Sequence, residues 1–310
     1  MLADDSILPS LVVTTLAIQA AAVLVSGVVE VATDRVDHPH LLGLGAGLGV
    51  VAFLLRSWGR EPRRARRSTV LPGLAAMWAL TVAIATVVFT LAQSVVLLDA
   101  FTESVSGITT LATTSVDPDQ LNHGTILYRS LLQWLGGLLM INTVLVIMPT
   151  FGTTRGAREE LSPSGSMALL GPTSSRRSDV VNLVYLALTV LIAVAYAVAG
   201  MPLWDSANHA LTTVSTGGHT VSSQGFSAYG AAVQWVAILG MALAGLGVMW
   251  LAVAARGNRR RAFEATELRF YLVASVLVGA VIAMGTSAAG WSDAVRGGCL
   301  LYTSPSPRDI

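Results

Sequence analysis

Residues 99–114 read DAFTESVSGITTLATT, and residues 205–220 read DSANHALTTVSTGGHT. Both stretches are apolar enough to be buried, yet too short to cross a hydrocarbon core of about 30 Å, which takes about 20 residues of helix. Laid over one another without gaps, they pair Asp99 with Asp205, Ser106 with Thr212, Thr109 with Ser215, Thr110 with Thr216, Ala112 with Gly218 and Thr114 with Thr220. A half-helix that dips in from one face and returns through a Thr, Ser and Gly-rich strand satisfies both the length and the repetition.

The flanking sequence supplies the membrane for such a dip. Of the 310 residues, 53% are hydrophobic and only 12% are charged, and the mean hydropathy is +0.66, far from a soluble domain. Full spans are expected at residues 7–31, 41–57, 70–98, 127–149, 180–200, 231–255 and 268–288. One dip lies between the third and fourth spans and the other between the fifth and sixth. Leu132-Gln133-Trp134 in the fourth span returns as Val233-Gln234-Trp235 in the sixth, so 74–148 and 180–254 read as two copies of one unit. The expected fold is an all-α polytopic membrane protein: two amino-terminal helices followed by helix, pore-loop, helix repeats, two complete and a third begun. The corresponding segments are 1–69 (the two-helix extension and a basic loop), 70–155 (first repeat), 156–262 (loop and second repeat), 263–298 (first helix of a third repeat) and 299–310 (a tail).

Orientation follows from arginine, because the chain contains no lysine. Arg56, Arg60, Arg63, Arg64, Arg66 and Arg67 crowd one loop; Arg155, Arg158, Arg176 and Arg177 lie in a second; Arg256, Arg259, Arg260, Arg261 and Arg269 border a third. The positive-inside rule makes these loops cytoplasmic and with them the amino terminus, and it makes the basic runs topology determinants rather than a nucleic-acid surface. No basic residue precedes Arg35, so the first span is expected to stay in the mature chain rather than to be cleaved. The one cysteine, Cys299, sits in CLLYTSPSPRDI, which abandons the helical pattern and resembles adaptor sequence joined to a shortened reading frame.

An ion entering a low-dielectric slab must exchange water for other oxygens, and a strand leaving a half-helix can aim its carbonyls at a pore axis. Candidate filter residues are therefore Thr109, Thr110, Leu111, Ala112 and Thr113 in the first loop, and Ser215, Thr216, Gly217, Gly218 and His219 in the second. Left-handed backbone is cheapest at glycine, so Gly217 and Gly218 are expected to turn carbonyls inward. Asp99 and Asp205 are expected to cap the half-helices and complement their dipoles. Glu103 falls within the first half-helix, where a carboxylate is costly unless backbone or hydroxyl groups bond it; the alternative is snorkelling to the outer surface. Arg129 opens the next span, as support for the outer mouth or as an interfacial anchor. Gly43, Gly45, Gly47 and Gly49 lack dinucleotide-loop spacing and suit close helix packing. His38 and His40, near Asp34 and Asp37, are too sparse to argue a metal site.

The run from Phe101 to Thr110, the run Tyr128-Arg129-Ser-Leu-Leu-Gln-Trp-Leu-Gly-Gly, and the run from His209 to His219 together resemble the first two pore repeats of the Trk/Ktr/HKT potassium transporter superfamily, closest to its bacterial Trk-type membrane subunits. The likeness runs from about residue 7 to residue 298. It implies uptake of K+ across a bacterial inner membrane through four repeats around one pore, in a homodimer surrounded by lipid. It also implies a cytosolic nucleotide-binding regulatory subunit of the TrkA/KtrA kind docked on the arginine-rich loops. Ala112 stands where the family carries a filter glycine, which opens Na+ permeation within the same superfamily as an alternative. The missing later repeats open another, a non-conducting fragment or assembly component. No cofactor is implied beyond the transported ion, and no enzyme: the spans hold no interior Asp, and neither H-E-x-x-H nor G-x-S-x-G occurs.

Overall fold

The computed structural model describes residues 8–34, 39–56, 67–151 and 174–247, with residues 270, 273, 274 and 277 beyond them. Among these, every regular element is helical. The helices are α1 (Leu8–Thr33), α2 (His40–Leu55), α3 (Arg67–Gln93), α4 (Leu97–Ile108), α5 (His123–Phe151), α6 (Ser174–Val198), α7 (Leu203–Val214) and α8 (Ala231–Gly245). Single turns of 3-10 helix stand at Pro118–Gln120 and Gly225–Ala228. Leu8–Thr33, Val70–Gln93 and Ser178–Val198 are long and apolar enough to cross a membrane, and His40–Leu55 and Ala231–Gly245 are shorter apolar helices. Four predicted spans thus coincide with α1, α2, α5 and α6. The sixth, expected over 231–255, starts as α8 but leaves the helix after Gly245, where Gly247 has φ +89°, and residues 248–255 lie outside the described residues. The seventh lies almost wholly outside the described residues, as do the tail and every arginine of the three basic loops except Arg56, Arg67, Arg176 and Arg177.

The third span needs a correction. It was expected to continue to residue 98, yet α3 ends at Gln93 and Leu97 already begins α4. The break sits at Ser94, whose φ is +52°, a left-handed conformation that ends a helix wherever it occurs.

The chain divides into two compact units, residues 1–133 and 134–310, with the boundary inside α5. In the first unit α1 packs against α2 and α3, and α3 against α4. α1 is organised for lipid rather than water: Ile18, Val25, Val28 and Val31 are exposed, while Thr15, Gln19, Ser26 and Glu30 are buried. Most of its polar atoms find partners inside the protein, the Ser26 hydroxyl being without one among the described residues. Thr15 Oγ1 donates to Leu11 O at 2.8 Å, the Tyr128 hydroxyl of α5 donates to Gln19 Oε1 at 2.9 Å, and the Leu41 amide at the start of α2 donates to Glu30 Oε2 at 3.2 Å. Asn122 Nδ2 donates to Glu30 Oε1 at 2.9 Å.

Small residues set the approach of α1 to α2. A Cβ on Gly45 would lie 2.7 Å from the Leu24 nitrogen, and one on Gly27 would overlap the Leu42 backbone. Gly43 and Gly47 face open space, so only part of the predicted glycine stripe is a packing face. In the second unit, α6 and α8 pack on α7 and on each other around Tyr185, Ile192, Tyr196, Val214, Phe226, Val233 and Met241, while Leu183, Leu191, Val194 and Val198 of α6 face outward.

Candidate functional site

Two half-helices, one in each unit, end in the same backbone course. α4 gives way at Thr109 and α7 at Ser215. The next residue is left-handed in both, Thr110 with φ +56° and Thr216 with φ +54°. Each unit then closes with the same pair of bonds. Thr110 N donates to Gly107 O at 3.1 Å and Leu111 N to Ser106 O at 2.9 Å; Thr216 N donates to Thr213 O at 3.0 Å and Gly217 N to Thr212 O at 2.8 Å. Upstream, the tight turns into the half-helices also correspond, at Ser94 (φ +52°) and Gly200 (φ +97°). One displacement along the sequence maps all of these positions.

Threonine in the left-handed region costs about 1–2 kcal/mol relative to glycine, so this is where the expectation about glycine fails. The first left-handed residue after each half-helix is Thr110 or Thr216, not Gly217; Gly218 follows with φ +71°. The loops then part company. Ala112, the counterpart of Gly218, is not left-handed, as expected for a residue whose Cβ makes that region costly.

The first loop is held by charge. Glu103 is 1% exposed and Arg129 2% exposed, and Arg129 Nε lies 3.2 Å from Glu103 Oε2. Glu103 Oε1 accepts from Ser115 N at 2.9 Å and Val116 N at 3.3 Å, and from the Thr114 hydroxyl. Arg129 Nη2 also donates to Thr114 Oγ1 at 3.2 Å. Of the two possibilities open for Glu103, burial with hydrogen bonds is realised and snorkelling is not. Arg129 is likewise no interfacial anchor, since it is buried against the carboxylate. Within the loop the Ser106 hydroxyl donates to Leu111 O, and Gln133 Nε2 reaches the same carbonyl at 3.4 Å. Thr109, Leu111 and Thr113 are exposed, whereas Ala112 is buried.

The second loop is held by aromatic residues. The Tyr196 hydroxyl lies 2.7 Å from Thr213 Oγ1, and the Tyr229 hydroxyl donates to Asp205 Oδ2 at 2.8 Å. Burial first, then the bond to Asp205 and its charge, pushes the Tyr229 phenol above its ordinary value, which keeps it a donor. Ser215, Gly217, Gly218 and His219 are all buried.

Asp99 and Asp205 do not cap. Each lies in the first turn of its half-helix, behind Val96 and Pro202 at the capping position, and neither of those makes a side-chain cap bond. Their carboxylates still complement the positive helix end. The Gln-Trp likeness is also not a structural equivalence. Gln133 is deep in α5 beside the loop, whereas Gln234 is in the first turn of α8, donating to Phe226 O and Tyr229 O at 3.0 Å each. The packing gives the better register: a Cβ on Gly107 would meet Leu132 Cδ2 at 2.6 Å, and one on Gly240 would meet Thr213 Cγ2 at 2.8 Å. Large and small residues have exchanged places between half-helix and following helix.

One polar group has no place in the sequence reading, and two others make contacts that the sequence does not spell out. Glu30 sits one turn from the end of an apolar span, and its signal was simply being a carboxylate there. Asp34 accepts from the His123 amide at 2.9 Å, and its other oxygen lies 2.5 Å from His123 Nδ1. Asn142 Nδ2 donates to Asn182 Oδ1 at 3.0 Å, and the Ser178 hydroxyl donates to Asn142 Oδ1, tying α5 to α6 within the second unit. Among the described residues no group of His, Cys, Asp and Glu is arranged to hold a metal; His38 and Asp37 lie outside them.

Comparison with known proteins places the chain among transporters of one family. A family model described as TrkH, cation transport protein, matches residues 50–288. The Trk system potassium uptake protein TrkH of Salmonella typhimurium is 35% identical over 134 residues, 42% of this chain and 28% of the relative. The Trk system potassium uptake protein TrkG of Escherichia coli is 31% identical over 192 residues, 60% of this chain and 39% of the relative. The crystal structure of the potassium transporter TrkH from Vibrio parahaemolyticus superposes with a TM-score of 0.80 at 21% identity, covering 96% of this chain and 63% of that one. The chain therefore spans only part of the length of the proteins it matches, and the structural likeness speaks for the fold.

Proposed function

Because the chain belongs to the TrkH family of cation transport proteins, we propose that it supplies two pore-loop repeats to a pathway for monovalent cations, with residues 109–113 and 215–219 as filter strands. The family is one of multi-pass membrane transporters, not of enzymes. The observation that carries the reading is the backbone course shared by the two loops, left-handed at Thr110 and at Thr216. Two half-helices that were only connections between spans would have no reason to repeat the same strained residue and the same closing bonds.

In this reading α3, α4 and α5 form the first repeat, α6, α7 and α8 the second, and α1 and α2 the amino-terminal extension, with the segment boundaries predicted from the sequence. The half-helices enter from the outer side, the amino terminus and basic loops are cytoplasmic, and the membrane is the bacterial inner membrane. K+ is the transported ion, dehydrated against main-chain carbonyls and threonine hydroxyls and driven inward by the membrane potential. Glu103 and Arg129 support the first strand, and Asp99 and Asp205 sit at the outer ends of the half-helices. A homodimer and a cytosolic nucleotide-binding regulatory subunit complete the assembly.

Na+ permeation is a second reading favoured by one observation, that Ala112 is not left-handed while Gly218 is. The first strand then presents its carbonyls differently from the second, and discrimination against Na+ weakens. Rubidium and sodium uptake by the intact gene product in a host deficient in potassium uptake tests both readings. Gly218→Asp is expected to abolish flux at unchanged membrane abundance. Uptake indistinguishable from the parent would remove residues 215–219 from the pathway.

A further inference from the structure

The displacement that superposes the two loops places His209 where the first half-helix carries Glu103. His209 is fully buried, and neither ring nitrogen has a hydrogen-bond partner among the described residues. Dry polar nitrogens destabilise a fold, so the benefit of this ring lies in its shape and its neighbours rather than in hydrogen bonds.

Asp205, His209 and Thr213 occupy one face of α7 on successive turns. The outer two are fixed by tyrosine hydroxyls, Asp205 by Tyr229 at 2.8 Å and Thr213 by Tyr196 at 2.7 Å. The imidazole fills the gap between these two attachments. Its centroid is 4.8 Å from that of Phe226, 5.6 Å from that of Tyr229 in an edge-on arrangement at 84°, and 6.3 Å from that of Tyr196. Phe226 in turn stacks on Tyr196 at 6.3 Å and 25°.

The filter strand leaves directly from this stripe. His209 O accepts the Thr212 hydroxyl at 3.2 Å, Thr212 O accepts Gly217 N at 2.8 Å, and Thr213 O accepts Thr216 N at 3.0 Å. One turn of helix and these bonds connect the ring to Thr216 and Gly217.

We propose that His209 is a positioning residue of the second filter: an aromatic spacer that holds the Tyr229 and Tyr196 attachments apart at the distance that places residues 215–219. It does by shape what Glu103 does by charge. This proposal rests on the transport reading above and specifies how one of its strands is held.

The test uses the intact gene product carrying His209→Phe, His209→Gln or His209→Ala, with two readouts at matched membrane abundance. One is the preference for K+ over Na+ together with the apparent KM for rubidium. The other is hydrogen exchange at the Thr216 and Gly217 amides of the purified protein. Phe keeps the ring and is expected to leave preference, KM and protection within about twofold of the parent, whereas Gln and Ala shift them by about tenfold or more. Should Ala not reach the membrane, the contrast of Phe with Gln decides. Phe behaving like Ala, or Gln behaving like the parent, overturns the proposal. A parent with no flux sinks the transport reading alone, since the exchange readout still decides whether the ring places the strand.

Discussion

The two half-helices have the same length, the same left-handed exit and the same closing bonds, yet their supports are chemically unlike. Behind the first stands a buried ion pair, Glu103 with Arg129, whose carboxylate also gathers the Ser115 and Val116 amides. Behind the second stands a packed aromatic group around His209, linked by tyrosine hydroxyls to Asp205 and Thr213 and by the Gln234 amide to the Phe226 and Tyr229 carbonyls. A backbone course is thus specified by where its polar groups must be satisfied, and different side chains can satisfy them. What differs is the mode of failure: an ionic support fails abruptly when one partner is removed, and a packed one loosens by degrees.

The largest contrast is expected from the ion pair. Glu103→Ala or Arg129→Ala leaves one buried charge without its partner and should cost about 3–5 kcal/mol, read as a large fall in unfolding temperature in detergent. An effect below about 1 kcal/mol would mean that the pair is hydrated, as at a surface, and would erase the contrast. Overpacking comes next. Gly240→Ala drives a methyl group onto Thr213 Cγ2, 2.8 Å away, and should cost about 1–3 kcal/mol; Thr213→Ser removes the colliding methyl and should recover most of it in a double-mutant cycle. Independent, additive effects would undo the register argued here. Tyr196→Phe removes a single hydroxyl and should cost about 1 kcal/mol, leaving a loop that still closes. Smallest in stability is Ala112→Gly, within about 1 kcal/mol because it chiefly frees the unfolded chain. It bears on function more than on folding, for it should raise the preference for K+ over Na+, measured by competitive uptake. An unchanged preference would show that the backbone difference at this position does not set selectivity.

The same contrast explains what was legible beforehand. The entry to the second half-helix is spelled out by Gly200 and Pro202, a left-handed glycine and a residue that cannot continue a helix. The entry to the first uses Ser94 and Val96, which carry no such signal, so α3 was read through its own end. The half-helices were legible because a length too short for the membrane recurs in register. The Gln-Trp likeness misled because spans draw on few residue types, and a match about two turns out of register looks as good as a true one. Glu103 could be marked as costly from the sequence, but its four partners come from two separate segments that no local pattern brings together. His209 carries no local signal for its role, because a histidine suggests hydrogen bonding and among the described residues its ring nitrogens make none.

Gln19 waits for Tyr128 and Glu30 for Asn122, partners separated by 109 and 92 residues. During synthesis the opening helical hairpin therefore reaches the bilayer well before the groups that complete it have left the ribosome. Until α5 and the residue before it arrive, Gln19 and one oxygen of Glu30 must lean on water, on lipid headgroups or on the insertion machinery. The opening pair of helices is thus seated for good only when α5 has followed it into the membrane.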